Sequence, residues 1–352
     1  MSGGVDSSVA AALLLEQGYQ ATGCTMHLFG SDALGLGQES TCCSLSDVED
    51  ARRVCWKLGI AHYVLNFKAQ FRREVMADFA ASYLRGETPN PCIRCNGELK
   101  FGAMLHRAAE LGLNYVATGH YARIEQSGDR YLLKKAADSQ KDQTYFLYNL
   151  TQTQLAHTLM PLGALTKPQV RLLAERYGFL NAKKGDSQGI CFVPDGDYGA
   201  FIERFTGQPC PPGDFIDREG NVLGRHRGHI RYTLGQRKGL EIALGQRAYV
   251  TAKDPARNTV TLGRNEELFS DGLEARDLNL IACDRLGAPI RCTAKIRHSR
   301  QEAPATAVQT GARTLEVRFD QPQRAVTPGQ AVVLYDGEVV LGGATIDSAM
   351  QL

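Results

Sequence analysis

Helical and extended patterns alternate along the first half of this 352-residue chain, and this alternation constrains its fold more than any other feature. Long amphipathic stretches such as SDVEDARRVCWKLG are separated by short apolar runs such as HYVLNF and NYVATGH. Because parallel strands need a crossover connection, usually a helix, this order predicts a parallel α/β sheet with helices on both faces. Such sheets bind ligands beyond the carboxyl ends of their strands, so we expect the functional site there.

The sequence changes character near residue 205, where GQPCPPGDFIDREGNVLG is rich in glycine and proline. Short alternating runs dominate beyond it, and AVVLYDGEVVLGGATI contains the Asp-Gly signal of a hairpin at Asp336 and Gly337. We therefore predict a Rossmann-like domain over 1–206, a small β-rich domain over 207–275 and a C-terminal β-barrel over 276–352.

Charge and hydropathy narrow the choice of partners. No apolar run approaches the roughly 18 residues of a membrane helix, so we expect a cytoplasmic protein with no membrane partner. The net charge of +2 does not by itself indicate nucleic-acid binding. Two basic segments do favour a polyanion over a merely solvated surface: Arg225–Gly239 contains no acid, and Arg291, Lys295 and Arg297 share one face if their segment is a strand.

The opening stretch, MSGGVDSS, predicts a phosphate-binding turn. A Gly-Gly turn that leads into a helix leaves backbone N–H groups unpaired at the positive end of the helix dipole. Gly3 and Gly4 allow close approach of a ligand, and Ser2 and Ser7 add hydroxyl donors. Asp6 would repel phosphate, so we expect it to hold a Mg²⁺ ion that bridges the phosphates of ATP. The stretch matches the SGGxDS signature of the PP-loop ATP pyrophosphatases, which adenylate a substrate oxygen.

The phosphate-binding turn comes unusually early in the sequence, after Met1 alone. In this fold it follows a central strand of about five to ten residues. Loss of such a strand would leave unpaired backbone groups in the core, each at a cost of about 1–3 kcal/mol. We therefore expect the natural chain to begin upstream of Met1.

Three cysteines are the best candidates for chemistry. Cys92 and Cys95 form a C-x-x-C in TPNPCIRCNGELKFG, in a proline-rich loop before a helix whose start would stabilise a Cys95 thiolate. Cys191 lies in the polar segment GDSQGICFVPDGDY. A lone C-x-x-C can be half of a zinc site, but the sequence has no second pair at similar spacing. Reactive thiols together with an ATP-activating loop favour sulfur transfer.

The chain as a whole resembles the tRNA-specific 2-thiouridylases. The likeness is carried by motifs from end to end: SGGVDSS, CCSLSDVEDAR, TPNPCIRCNGELKFG, ATGHYAR, KDQTYFLY, GDSQGICFV, YTLGQRKGL and PGQAVVLYDGEVVLGGATI. Such enzymes replace the 2-oxygen of the wobble uridine in Lys, Glu and Gln tRNAs with sulfur. The resemblance thus implies ATP, Mg²⁺, tRNA and a cysteine desulfurase or sulfur-relay protein as cofactors and partners.

The resemblance also implies roles for single residues. Cys95 matches the family's nucleophile, and Cys191 matches the cysteine that carries a persulfide. The residues implied to contact ATP are Ser2, Gly3, Gly4, Val5, Asp6, Ser7, Met26 and Gly119. The residues implied to contact tRNA are Asn90, Pro91 and Cys92, at the target base, and His120, Lys141, Asp142, Gln143, Arg297, His298 and Gln330.

Several alternatives stay open. Many relatives carry aspartate at the position of Cys92, so a carboxylate role cannot be assumed here. Cys92, Cys95 and Cys191 could instead hold three irons of a [4Fe–4S] cluster, and the sequence does not choose between the two sulfur routes. A PP-loop amidating ligase would leave the cysteines without a role. A non-catalytic RNA-binding protein would not need Asp6, Cys95 and Cys191 intact.

Overall fold

A computed structural model describes residues 1–30, 45–185 and 189–350, which form two compact units. The first unit contains Met1–Met76, Pro91–Gly196 and Glu338–Val340. The second contains Ala77–Asn90, Asp197–Gly337 and the chain from Leu341 onward. The domain limits expected at residues 206 and 275 stay predictions.

Helices occur in both units, with α4 and α9 in the second. The α-helices in chain order are α1 (Val5–Glu16), α2 (Leu45–Lys57), α3 (Lys68–Phe71), α4 (Ala77–Leu84), α5 (Pro91–Arg94), α6 (Met104–Glu110), α7 (Gln152–Ala156), α8 (Lys167–Arg176) and α9 (Tyr198–Thr206). Two π-helices, Arg72–Met76 and Cys95–Ala103, continue α3 and α5. Short 3₁₀ helices span Thr144–Phe146, His229–Arg231 and Asn265–Leu268.

Two strand pairs of the first unit confirm the predicted parallel pairing, and a third pair, Arg123–Ser127 with Arg130–Lys134, is antiparallel. In chain order they are β1 (Gly23–His27), β2 (His62–Asn66), β3 (Val116–Ala117), β4 (Arg123–Ser127), β5 (Arg130–Lys134) and β6 (Thr158–Leu159). β1 pairs in parallel with β2, and β3 in parallel with β6, as two separate ladders in the part of the chain described. Met1 lies beside β1, where Thr25 Oγ1 donates to its carbonyl oxygen at 2.8 Å.

The core of the first unit forms between α1, α8 and their surroundings. Six of the eight apolar residues of α1 are buried, because this helix is apolar on most of its circumference. Val9 packs in one cluster with Leu162 and with Val170 and Ala174 of α8. Each large apolar side chain buried in this way contributes about 1.5–3 kcal/mol. This packing fixes the position of α1 within the first unit.

The second unit contains two β-structures. The strands in chain order are β7 (Gly213–Ile216), β8 (Val222–His226), β9 (Tyr249–Asp254), β10 (Thr259–Gly263), β11 (Phe269–Leu280), β12 (Ile290–Lys295), β13 (Ala303–Gln309), β14 (Thr314–Arg324), β15 (Ala331–Asp336) and β16 (Val339–Met350). The first two residues of β16 belong to the first unit. A four-stranded sheet has the order β8-β7-β10-β9.

The remaining six strands confirm the predicted C-terminal barrel. Their order is β11-β14-β13-β12-β15-β16, and antiparallel pairing of β16 with β11 closes it. The predicted hairpin is β15–β16, but its turn lies one residue later than predicted, at Gly337 and Glu338, because Asp336 is the last residue of β15; Gly337 has φ +55°. Among the described residues, no helix has the length and apolar character needed to cross a membrane.

Candidate active site

The phosphate loop, Ser2–Ser8, turns into α1 as its sequence predicts. Gly4 is the N-cap and gives no side-chain cap, so no capping side chain competes for the first N–H groups of α1. Gly3 has φ +70°, and a Cβ atom there would lie 2.4 Å from the Asp47 carbonyl oxygen. Glycine is therefore required at this position for both conformation and space.

Two side chains from a distant segment fix the Gly3 carbonyl. Asn181 Nδ2 donates to it at 3.0 Å, and Lys184 Nζ at 3.3 Å. Lys184 also donates to Asp47 at 2.7 Å and to Asp50 at 2.8 Å. Burial opposes the charged form, but the hydrogen bonds to the two carboxylates outweigh it and raise the pKa of Lys184. The loop thus depends on residues that its own motif does not contain.

Asp6 is held by a buried lysine that the sequence did not reveal. Lys167, the first residue of α8, donates from Nζ to both carboxylate oxygens of Asp6, at 2.7 and 2.8 Å. Tyr121 Oη donates to Asp6 Oδ1 at 2.8 Å. Lys167 is only 7 % exposed, so its charge needs this partner. The capping box of Thr166 and Gln169 could have predicted the start of α8, but nothing local indicates that Lys167 meets Asp6.

Asp6 fits as one ligand of a magnesium ion that is bound mainly through nucleotide phosphates. Its carboxylate is partly exposed, with 29 % of the side chain accessible. Among the described residues, no group of three or more His, Cys, Asp or Glu side chains could hold a metal ion without other ligands. The phosphates would therefore supply most of the coordination.

Gly119 packs directly against the backbone of the phosphate loop, whereas Met26 is placed by a strand. A Cβ atom on Gly119 would lie 2.7 Å from the backbone carbon of Asp6 and 2.8 Å from the nitrogen of Ser7. Only glycine allows this approach of the β3 end to the phosphate loop. Met26 lies on β1 and is half-buried.

The C-x-x-C does not lie in a loop, contrary to the expectation from its prolines. A continuous helical segment, the cysteine helix (Pro91–Ala103), begins at Pro91 with α5 and continues as the second π-helix. Proline favours the first position of a helix because its missing N–H would be unpaired there anyway. Cys92 lies in the first turn and is exposed, whereas Cys95 is only 8 % exposed.

Side-chain amides from Asn149 and Gln154 stabilise the π-helical winding. Asn149 Nδ2 donates to the carbonyl of Ile93 at 3.1 Å, and Gln154 Nε2 to that of Gly97 at 3.0 Å. A Cβ atom on Gly97 would lie 2.4 Å from Asn149 Nδ2, so glycine makes the contact feasible. These amides supply donors to the backbone where the regular α-helical ladder is interrupted.

The electrostatics of Cys95 correct a second expectation. A helix start was predicted to stabilise its thiolate, but burial is the largest effect and raises the pKa of Cys95. Lys100 acts in the opposite direction and Cys92 in the same direction as burial. Burial, and then Lys100, lower the pKa of His120 well below its usual range. His120 Nδ1 lies 2.8 Å from Thr118 Oγ1, and its ring packs on Phe101.

Cys191 is partly buried and lies in a turn. Residues 186–188 of its motif GDSQGICFV, and residues 42–44 of the motif CCSLSDVEDAR, lie outside the described part of the chain. Its neighbour Phe192 anchors this turn by edge-to-face packing on Phe71, with ring centroids 5.5 Å apart. Cys92, Cys95 and Cys191 are all described, and they do not form a three-ligand metal group. The geometry therefore does not fit a three-cysteine [4Fe–4S] site, and we derive no step through such a cluster.

The residues expected at tRNA differ in accessibility. Asp142 is buried, where Ala136 N and Thr144 Oγ1 donate to its two oxygens at 3.0 and 2.6 Å. Gln143 accepts a hydrogen bond from Tyr121 N at 2.9 Å, and Lys141 is half-buried. These bonds favour a structural role for Asp142, and contact of this segment with tRNA stays a prediction.

In the second unit, Gln330 Nε2 donates to the Thr88 carbonyl at 2.7 Å, two residues before Asn90. His298 is exposed. Arg297 lies beyond the end of β12, so it does not share that strand's face with Arg291 and Lys295. Its guanidinium donates to the carbonyls of Leu234 and Ala325 and to Thr327 Oγ1. Arg297 therefore has a structural role, whatever else it binds.

The arginines of the two basic segments form more ion pairs with acidic residues than the sequence indicated. Acids from elsewhere in the second unit neutralise several arginines: Arg225 pairs with Asp214, Arg227 with Glu241, Arg231 with Asp197 and Glu203, and Arg291 with Asp320. Arg237, Lys238 and Lys295 have no acidic partner among the described residues. These three cations are the better candidates for phosphate contacts.

A phosphate loop at a helix start, its acid–lysine pair and two or more thiols all lie in one α/β unit. This combination defines a nucleotide-using PP-loop enzyme with β-domains attached.

Comparison with known proteins gives the family. Residues 1–195 match the tRNA methyl transferase HUP domain, 199–264 the tRNA methyl transferase PRC-barrel domain and 270–346 the aminomethyltransferase beta-barrel domain. The chain is 55 % identical over 349 residues to the tRNA-specific 2-thiouridylase MnmA of Acetivibrio thermocellus, covering 98 % of this chain and 97 % of the relative. The MnmA of Moorella thermoacetica is 52 % identical and covers 100 % and 99 %. The chain belongs to the family of tRNA-specific 2-thiouridylases.

An NMN synthetase structure from Francisella tularensis is 19 % identical with a TM-score of 0.32, covering 59 % of this chain and 75 % of that one, a likeness too low to carry an argument. The comparisons give no support to the amidating ligase that the sequence left open.

Proposed function

We propose that this protein is an ATP-dependent tRNA 2-thiouridylase that replaces the 2-oxygen of the wobble uridine with sulfur. The observation that carries the proposal is that the phosphate loop, Cys95 and Cys191 belong to one compact unit. Activation of an oxygen and delivery of sulfur are thereby assigned to the same part of the chain. A cytoplasmic location follows from this substrate and is part of the proposal.

The phosphate loop binds and orients ATP in this proposal. The N–H groups at the start of α1 and the hydroxyls of Ser2 and Ser7 face the phosphates, and Met26 and Gly119 contact the nucleotide. Lys167 supplies a positive charge beside Asp6. Asp6 would hold Mg²⁺, which neutralises charge on the phosphates when it is bound. The uridine 2-oxygen attacks the α-phosphorus, pyrophosphate leaves, and C2 then carries an adenylated oxygen.

The cysteines transfer the sulfur. The terminal sulfur of a persulfide on Cys191 attacks C2, and its proton goes to solvent. The Cys95 thiolate then attacks Cys191 Sγ, and the S–S bond to the C2-bound sulfur breaks with its electron pair on that sulfur. AMP leaves with the former 2-oxygen, and 2-thiouridine remains. A thiol reductant reduces the resulting Cys95–Cys191 disulfide.

The substrate is tRNA, and its wobble base must leave the stacked anticodon loop, at a cost of a few kcal/mol. Asn90, Pro91 and Cys92 receive the base in this proposal, and contacts to the anticodon stem-loops of Lys, Glu and Gln tRNAs offset the cost. A cysteine desulfurase or sulfur-relay protein supplies the persulfide sulfur.

Release of AMP from ATP tests the proposal when it is measured with and without bulk tRNA. A thiouridylase releases AMP only with tRNA that still has an unmodified wobble uridine, and fully thiolated tRNA is the matched control. Equal AMP release with both tRNA samples, or release driven by ammonia, would contradict the proposal.

Cys92→Ala tests the two sulfur routes. The persulfide route predicts substantial remaining activity and no dependence on iron. Loss of both iron and activity in Cys92→Ala would support the [4Fe–4S] cluster route instead.

A further inference from the structure

Lys100 is a cation on the cysteine helix that no motif argument assigned. It lies five residues after Cys95 within the second π-helix and is half-buried. Among the described residues it has no carboxylate within ion-pair distance. A half-buried ammonium without an acidic partner is costly, so its position needs a reason.

The helical winding brings Lys100 toward Cys95. In an α-helix of about 3.6 residues per turn, a residue five positions further on points roughly 140° away. A π-helix closes its hydrogen bonds between residues i and i+5, which brings these two positions close to one side. The amides of Asn149 and Gln154 stabilise this winding, so they also set the position of Lys100 relative to the thiol.

Other charges near the cysteine helix are paired or exposed. The elements packed against its π-helical part are α3, the first π-helix, α5 and α6. The ion pairs on these elements and on the cysteine helix are Arg73–Glu74, Arg94–Glu74, Arg94–Glu98 and Arg107–Glu110. The exposed groups are Lys68, Arg72 and His106. Burial is the largest effect on Cys95 and raises its pKa; among the described residues Lys100 is the cation that lowers this pKa, and Cys92 raises it further.

We propose that Lys100 is a positioning residue whose ammonium group stabilises the Cys95 thiolate as that thiolate attacks the persulfide-bearing Cys191. This inference rests on the proposed function. Lys100 forms no bond and transfers no proton in the step: the Cys95 proton leaves to solvent, and the ammonium stays charged. Burial, and then the same ammonium, lower the pKa of His120 and so favour its neutral form.

The test measures the pH midpoint of Cys95 alkylation by iodoacetamide, located by peptide mass spectrometry, in protein without tRNA. We expect Lys100→Met to raise this midpoint by about one pH unit, with an about tenfold slower reaction below it. Lys100→Arg keeps the charge and should retain the original midpoint. Arg107→Gln removes an exposed charge from α6, which continues the same helical segment, and is the matched control with no shift.

Thiolation should follow the same pattern, because the acid limb of its pH profile moves with the Cys95 midpoint. An unchanged midpoint in folded Lys100→Met, or in Lys100→Gln if the methionine variant unfolds, would overturn the inference. Failure of both variants to fold while Lys100→Arg shifts the midpoint fully would also overturn it, since charge would not be the determinant. If Cys95→Ser thiolates tRNA normally, the proposed function fails instead, whatever the midpoint of Lys100→Met.

Discussion

The phosphate loop and the cysteine helix are both short motifs at the beginning of a helix, yet they present their functional groups in opposite ways. The loop leaves its N–H groups without a capping side chain and keeps Asp6 partly exposed. The cysteine helix buries Cys95 and raises its pKa. Each motif depends on partners from elsewhere in its unit: Lys167 and Lys184 for the loop, Asn149 and Gln154 for the helix. The motif thus contains the reacting group, and residues distant in sequence set the reactivity of that group.

The largest expected effects come from mutations that separate adenylation at the phosphate loop from sulfur transfer at the cysteines. Cys95→Ser and Cys191→Ser should each lower 2-thiouridine formation by at least about 1000-fold, because neither thiol can perform the other's half of the exchange. Pyrophosphate release in a single turnover should persist, since adenylation of the 2-oxygen needs the phosphate loop and neither thiol. Cys292→Ser, which changes a partly buried thiol of the barrel, is the control and should thiolate normally. Loss of pyrophosphate release in both cysteine variants would show that adenylation and sulfur transfer are not separable.

Substitutions in the Asp6–Lys167 pair should affect adenylation at the phosphate loop and leave the cysteine helix unchanged. Asp6→Asn and Lys167→Met should each lower AMP formation by about 100-fold, because charge near the phosphates is misplaced. The asparagine keeps the shape of Asp6, which limits the destabilisation that an unpaired buried lysine would otherwise cause. The alkylation rate of Cys95 should stay at the wild-type value. Asp129→Asn, on the exposed β4–β5 turn, controls for a general charge effect. Normal AMP release by Asp6→Asn would refute its assignment.

The pH dependence of sulfur transfer should come from the Cys95 thiol on the cysteine helix. Burial raises the pKa of Cys95, so the thiolate fraction is small at neutral pH and grows as the pH rises toward that pKa. Single-turnover sulfur transfer to preadenylated tRNA should therefore accelerate up to about tenfold per pH unit above neutrality. Rapid-quench assays from about pH 6.5 to about pH 9, a range that includes the usual pKa of a thiol, would measure the rate of this transfer. A flat profile would mean that attack by Cys95 is not limiting.

Removal of an amide partner should destabilise the cysteine helix modestly. Asn149→Ala leaves the carbonyl of Ile93 without its side-chain donor, which we expect to lower the free energy of unfolding by about 1–2 kcal/mol. Urea denaturation of the variant and wild type gives this difference. Gln152→Ala, which removes a contact to the backbone of Tyr131 instead, is a comparison variant for which AMP formation and thiolation should persist. Selective loss of thiolation in Asn149→Ala would sharpen the link between winding and reactivity.

The smallest effect is expected outside both motifs. Lys295→Glu should weaken tRNA binding several-fold and reduce the slope of log affinity against log salt by about one, with ATP binding unchanged. Arg297 is unsuitable for this test, because its guanidinium holds two carbonyls of the second unit. Filter binding over a salt series provides the measurement. An unchanged slope would show that Lys295 does not contact phosphate.

The sequence predicted what depends on local patterns. The Gly-Gly turn, the parallel pairing of β1 with β2 and the β15–β16 hairpin follow from spacing and turn chemistry, and the structure has them. The pairing of Lys167 with Asp6 spans 161 positions, and no local pattern encodes it. The π-winding at Cys95 was also missed, because it depends on amides that are supplied more than fifty residues away.

Burial and ion pairs between distant parts of the sequence explain the remaining differences. The thiolate at Cys95 was expected from its place near a helix start, but desolvation outweighs that effect. The basic segments contain no acid in their own sequence, yet Asp214, Glu241 and Asp320 reach their arginines from neighbouring strands and loops. Charge patterns along the chain therefore overestimated the free positive charge of the second unit.

Mass spectrometry of the wobble uridine tests the central claim most directly. Unmodified tRNA is incubated with the protein, ATP, Mg²⁺, a cysteine desulfurase and cysteine, and its nucleosides are then analysed. We predict 2-thiouridine at the wobble position, formed with AMP in equal amounts and absent when ATP or cysteine is omitted. Wobble uridine that stays fully oxygenated while AMP accumulates, or sulfur at another nucleoside, would contradict the account.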